Sequence, residues 1–189
     1  MRASIADTEE KILDLAEILI RQNGYNGFSF RDIASGVGVK SSSVHYYFPT
    51  KADLGAKVAR RYTDRFLDLL GDPVEPVRPA EALILQLHRA FERSLGQDGQ
   101  MCLCGILAAE SSGLPDAVVS EAKTFFDRTG AWLKKGLRQS DWGADISEDE
   151  LSRQSLAILA QLEGAMLIAK VQGRPDLFAD LAPRLAENR

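Results

Sequence analysis

The chain has 189 residues, 45% of them hydrophobic and 26% charged. That is the composition of a globular protein able to bury a sizeable core, as one large domain or two small ones. A net charge of −4 and a sequence pI of about 5.3 exclude a molecule drawn to nucleic acid by its overall charge.

The charge is unevenly spread. Residues 21–61 carry seven Lys or Arg against two acids, a net +5, whereas residues 1–19 carry two against five, a net −3. Residues 62–189 hold the remaining −6. A basic segment inside an acidic chain points to a local anionic partner. Cys102 and Cys104 are the two cysteines; they imply no disulfide framework and suit a reducing compartment. No basic region precedes an apolar run at the N-terminus, and Asp14 and Glu17 interrupt residues 12–20. The expectation is a cytoplasmic protein with no signal peptide and no membrane-spanning stretch.

In chain order, the sequence predicts helix after helix. Ile12, Leu15, Ala16 and Leu19 recur at helical spacing, predicting a helix over about 7–23 that Gly24 ends. Ser29, with Asp32 three residues on, caps a helix over 30–37, and Gly38 breaks it. A short helix over 41–48 stops before Pro49. Thr50 with Asp53 caps a helix reaching Leu70. Gly71 and Pro73, Pro76 and Pro79 mark a break. Helices follow at about 80–95, 101–110, 115–139, 148–172 and 175–187. Ser147 with Glu150 caps the fourth of these, and Gly173 and Pro175 flank the start of the fifth.

Residues 30–49 have the pattern of a helix-turn-helix. Ala34 is small where two helices cross, and Gly38 can take positive φ at the turn. Ile33, Val37, Val39, Val44 and Tyr47 are placed to lock the angle. The second helix of such a unit lies in the DNA major groove. Val44 and Tyr47, with Phe48, then face inward, leaving Lys40, Ser41, Ser42, His45 and Tyr46 outward. These are hydrogen-bonders and amphipathic rings suited to phosphates, base edges and thymine methyls. Thr50 and Lys51 begin the next helix and Ser29 and Arg31 the preceding one; both starts favour a phosphate.

The stretch FSFRDIASGVGVKSSSVHYYFPTKADL, residues 28–54, resembles the DNA-binding region of the TetR family of transcriptional regulators, over roughly the first 60 residues. The resemblance implies an all-α homodimer with an N-terminal three-helix DNA-binding domain and a C-terminal helical effector-binding and dimerisation domain. It places the former at 1–52 and the latter at 53–189, joined by the helix 51–70. It implies a repressor released from a palindromic operator by a small-molecule effector, with DNA contacts at Arg31, Ser42, Ser43, His45, Tyr46, Tyr47 and Lys51. Lys40 stands where many members have a Ser or Thr cap and His45 where many have Tyr, which bears on base preference.

For the second half, twofold symmetry demands a self-pairing surface. Leu156, Ala160, Gly164 and Leu167 on the helix 148–172, with Phe178 and Leu181 on the last helix, are its expected members. Phe91, Met101, Cys102, Leu107, Phe125, Trp132 and Met166 are expected to line an effector cavity, with His88, Glu110 and Glu163 as polar tips. For any single one of them, plain core packing is the favoured reading. Cys102, expected near a helix start, allows an alternative in which the thiol senses oxidants or electrophiles. A helix-turn-helix that binds protein without specific DNA is a further alternative. No cofactor or metal is expected: His88 stands alone and His45 belongs to the recognition helix. The absence of a phosphate loop, a nucleophile elbow and an HExxH motif argues against an enzyme.

Overall fold

The computed structural model describes residues 5–96, 100–181 and 183, and these are helical without strands. The elements are α1 Ile5–Asn23, α2 Phe30–Val37, α3 Ser41–Tyr47, α4 Lys51–Leu70, α5 Ala80–Gly96, α6 Leu103–Ala109, α7 Asp116–Gln139, α8 Glu148–Val171 and α9 Asp176–Asp180. Single 3-10 turns at Tyr25–Gly27, Ser111–Gly113 and Asp141–Gly143 join some of them. α6 begins two residues later than expected. α9 stops at Asp180, where a helix to 187 was expected; residues 182 and 184–187 lie outside the described residues.

The chain forms two compact units. Unit 1 is Met1–Asp64 with Leu103–Phe125, and unit 2 is Arg65–Cys102 with Phe126–Arg189. α4 and α7 each run through both. Unit 1 buries Ile12, Ala16 and Ile20 of α1 with Ile33 of α2, Val44 of α3 and Leu54 and Val58 of α4. α6 packs against α1. Unit 2 buries Leu83, Leu87 and Phe91 of α5 with Leu133 and Leu137 of α7 and Ile158, Leu162 and Met166 of α8.

In unit 1, α4 passes close to its neighbours at Gly55. A Cβ on Gly55 of α4 would lie 2.6 Å from Tyr25 Cε2 and 3.1 Å from Val118 Cγ2. Gly55→Ala is therefore expected to overpack the contact and lower stability by about 1–3 kcal/mol, despite the better helix propensity of Ala. Urea denaturation checks it; an Ala variant at least as stable as the parent would refute the packing argument.

Candidate nucleic-acid interface

The recognition unit is built from caps inward. Ser29 and Asp32 form a reciprocal capping box at the start of α2: the Ser29 amide donates to Asp32 Oδ2 at 2.7 Å and the Asp32 amide to Ser29 Oγ at 3.4 Å. Gly38 ends α2 in the left-handed region, φ 77° and ψ 35°, and its N–H donates to the Ala34 carbonyl. The chain thus reverses into α3, whose Val44 is fully buried and whose following Phe48 is 4% exposed. This anchoring leaves Lys40, Ser42, His45 and Tyr46 exposed, with Ser41, Ser43 and Tyr47 half-buried. Tyr46 is 76% exposed, with its ring edge-on to Tyr47 at 5.3 Å. The His45 ring sits 4.7 Å from Phe30 at 61°, which steadies its direction while leaving it accessible. Arg31 of α2 is exposed on the same unit. Lys40 precedes α3 without a side-chain cap.

Three expected phosphate contacts have further duties. Ser29 Oγ donates to Asp32 Oδ2 and Thr50 Oγ1 to Asp53 Oδ2, both at 2.7 Å. Ser29, through its side chain and its amide, holds the Asp32 carboxyl below its ordinary range. Lys51 turns inward. Its Nζ donates to the Phe28 carbonyl at 2.5 Å and lies 4.2 Å from the Phe28 ring centre and 4.8 Å from that of Tyr25. Burial lowers its pKa, with Asp32 and Glu110 opposing the shift. Lys51 thereby staples the loop 24–28 to the start of α4, a role that the helix-start position alone did not announce.

Much of the basic segment is neutralised within unit 1. Arg61 reaches Glu10 at 2.6 Å, Asp14 at 2.8 Å and Glu17 at 3.5 Å, all on α1. Lys57 pairs with Glu9 at 3.7 Å, and Arg60 Nε donates to Glu121 at 3.1 Å. The exposed cations left on the recognition unit are Arg31 and Lys40.

The expected effector residues are divided between the two units. Leu107, Glu110 and Phe125 belong to unit 1, and His88, Phe91, Met101, Cys102, Trp132, Glu163 and Met166 to unit 2. Glu110 is not a cavity tip: its Oε2 accepts from the Tyr25 amide at 2.9 Å, tying the end of α6 to the loop after α1. His88 is a core histidine, stacked on Phe178 at 4.5 Å with Nε2 3.1 Å from the Phe178 carbonyl. Trp132 donates to the Gly71 carbonyl at 2.7 Å beside an open cleft of about 600 Å³ that Arg128 and Lys135 also line. Neither Cys102 nor Cys104 forms a disulfide and both are fully buried, and Cys102 precedes α6 rather than standing in its first turn. With both thiols closed off from solvent, the sensor alternative is not favoured.

Glu163 joins Arg78, Thr129 and Trp142 among the residues of unit 2 with buried polar atoms lacking a partner among the described residues, and it alone is an acid. The residue as a whole is half-buried, yet both carboxyl oxygens are shut off from solvent, and neither accepts a hydrogen bond of ordinary geometry among the described residues. Desolvation pushes its pKa up from 4.5 to about 7; the Cys102 thiol, weakly donating, works in the opposite direction.

Of the expected self-pairing residues, Leu156 (58%), Leu167 (56%) and Leu181 (42%) are exposed, Ala160 is exposed and Gly164 half-exposed. Phe178 is not available to a partner, because it is fully buried against His88. Ile168 and Val171, which the sequence reading passed over, extend the exposed apolar face of α8. The same face makes α8 long and apolar enough to cross a membrane by length and composition, with mean hydropathy 1.2 over its most apolar window, although no such stretch was expected.

Comparison with known proteins places this geometry. Residues 12–58 match the family described as bacterial regulatory proteins, tetR family. The HTH-type transcriptional repressor KstR2 of Mycobacterium tuberculosis is 25% identical over 91 residues, which span 46% of this chain and 46% of that repressor; the chain thus spans about half the length of that curated relative. The HTH-type transcriptional regulator RutR of Escherichia coli is 27% identical over 139 residues, 70% of this chain and 65% of RutR. Among solved structures, a TetR transcriptional regulator from Legionella pneumophila superposes with a TM-score of 0.85 at 32% identity, covering 96% of each chain. A TetR-family regulator from Agrobacterium tumefaciens gives 0.84 at 25%, covering 95% of each. The chain belongs to the tetR family of bacterial regulatory proteins.

Proposed function

We propose that the chain is a sequence-specific DNA-binding transcriptional regulator, acting in the cytoplasm as a dimeric repressor that a small molecule releases from a palindromic operator. The observation that carries this is α3: Val44 and Phe48 pin it, and Ser42, His45 and Tyr46 are left outward. Arg31, Lys40, Ser41 and Ser43 flank that face, and the Lys51 amide at the start of α4 suits a backbone phosphate, the Thr50 amide before it being held by Asp53 Oδ2 at 3.0 Å. The relatives named as repressors support the sign of the regulation. Catalysis has no place in this reading.

The apolar stripe Leu156, Ala160, Leu167, Ile168 and Val171 supports pairing of α8 with a second copy, which also accounts for its membrane-like composition. Within unit 1, the Glu110 carboxylate joins α6 to the loop that Lys51 fastens to α4. Ligand-driven movement of α6 or α4 would then reach the recognition helix.

The test is fluorescence anisotropy against a labelled duplex from upstream of the protein's own gene, with a scrambled duplex beside it, over a salt series. Preference for the first by about 10³-fold or more, with affinity falling steeply as salt rises, is expected. Equal weak binding to both, repeated with duplexes selected from random sequence, would refute it. Tyr46→Ala should leave stability within about 0.5 kcal/mol, the side chain being 76% exposed, while weakening operator binding by about ten-fold or more. Unchanged operator binding would remove Tyr46 from the interface.

A further inference from the structure

We propose that the shielded Glu163 carboxyl is a recognition group for a ligand taken up by unit 2, and that this ligand is a compact apolar molecule bearing a cationic hydrogen-bond donor, an amine or an amidine. This rests on the effector reading and gives it a chemistry.

The argument begins with a cost. Native proteins pair nearly all their buried polar atoms, and a carboxyl shielded without partners is among the most expensive exceptions. Here both oxygens are shielded and, the weakly donating Cys102 thiol apart, without a donor among the described residues. α8 carries Glu163 among buried Leu159, Leu162 and Met166, where an aliphatic side chain would be more stable. Retaining an acid there makes sense if something supplies the missing donors.

The chemistry of the donor follows from what surrounds the acid. Among the described residues no cationic side chain acts on Glu163; the Cys102 thiol does so weakly. Three cations of unit 2 pair with other acids: Lys134 with Glu148 at 2.8 Å, Arg138 with the same carboxylate at 2.9 Å and Lys135 with Asp72 at 3.7 Å. His88, the buried histidine of the unit, is committed to Phe178. A carboxylate offers about four acceptor sites and no donor; a protonated acid offers one donor. An anionic ligand would meet like charge, and a carbonyl ligand could satisfy one oxygen at most. A cationic N–H donor satisfies both oxygens and compensates the buried charge. The carboxyl already titrates near neutrality, about 7, so ionising it for such a ligand takes little. The apolar neighbours require the rest of the ligand to be hydrocarbon.

The experiment uses the purified full chain at pH 7.5. Cyclohexylamine, phenethylamine and benzamidine are titrated by calorimetry. Beside them run cyclohexanol, 2-phenylethanol and benzoate, with matched skeletons but no cationic donor. At least one cationic probe should bind about ten-fold or more tightly than its matched skeleton, and Glu163→Gln should erase that preference. Glutamate-labelled ¹³C NMR should show one carboxyl, absent in Glu163→Gln, whose titration midpoint falls when the cationic probe is added. The proposal is overturned if no cationic probe binds, if a matched alcohol or carboxylate binds as tightly, or if Glu163→Gln keeps the preference. Operator binding is measured separately without probe. Failure there sinks the regulator reading, whereas failure of the cationic probes with operator binding intact sinks this inference alone.

Discussion

Replacing Gly24 with Ala should lower the stability of the protein by about 3 kcal/mol, although the added group is a single methyl. Two independent effects combine. Gly24 sits at φ 76° and ψ 169°, a region that residues with a β-carbon essentially do not occupy, at a strain of about 1–3 kcal/mol. The new Cβ would also lie 2.1 Å from Glu110 Oε1. A carboxylate at the end of a flexible side chain could ordinarily swing away at little cost. This one cannot do so freely, because its other oxygen holds the Tyr25 amide at 2.9 Å, and leaving that partly buried N–H unmet costs a further 1–3 kcal/mol or so. Guanidinium denaturation reads the sum. Glu110→Leu separates the parts, since it removes the acceptor without touching the backbone of Gly24. It should cost about 1–2 kcal/mol, whereas Glu110→Gln, which keeps an acceptor oxygen, should cost less. If Gly24→Ala is no worse than Glu110→Leu, backbone strain contributes nothing and the argument from φ fails.

The Gly24 site also shows where sequence reading stops. The break after α1 was legible, because Gly after a run of helical spacing is a C-terminal signal with a mechanism. The two capping boxes, the left-handed Gly38 and the inward Val44 were legible for the same reason: each is a local device whose parts lie within four residues. Glu110 and Tyr25 are 85 residues apart. Nothing in the spacing of either residue announces the other, so Glu110 was assigned to a cavity by its polarity among apolar neighbours. Lys51 failed in a related way. Its place at the start of α4 suggested a phosphate, but the rings of Phe28 and Tyr25, more than 20 residues earlier, take it first. An aromatic pair just ahead of Ser29 was the available signal, and its meaning needed the fold. The basic segment was read as a patch for an anionic partner, yet Lys57, Arg60 and Arg61 discharge much of it onto Glu9, Glu121 and the acids of α1. The −3 segment and the +5 segment were each visible; that one covers the other was not. Phe178 was placed on the pairing surface by its spacing with Leu181. Spacing finds the apolar face of a helix but does not say whether that face meets the same chain or another.

Glu163→Gln should stabilise the protein at alkaline pH and scarcely at all near pH 4, and the pH profile is the decisive part. The ordinary carboxyl value is 4.5, and in the folded protein desolvation raises it to about 7. Below about pH 4.5 the acid is protonated in both folded and unfolded chains and contributes no difference. Between about 4.5 and 7 the unfolded chain releases the proton while the folded chain retains it, so unfolding gains and stability falls as pH rises. Above about 7 the folded protein must carry the charge in its shielded site, and the loss levels off. The full loss implied is about 3 kcal/mol, taken as a ceiling because the residue as a whole is half-buried. Gln cannot ionise, and its buried amide bears a cost that does not change with pH. The melting temperatures of variant and parent should therefore nearly coincide at pH 4 and separate by up to roughly 6–12 °C by pH 8.5. A separation that stays constant across this range would mean that Glu163 is not the group titrating in the interior. A stabilisation confined to high pH would identify the position at which the fold gives up stability, and the carboxyl to which a cationic ligand would restore it.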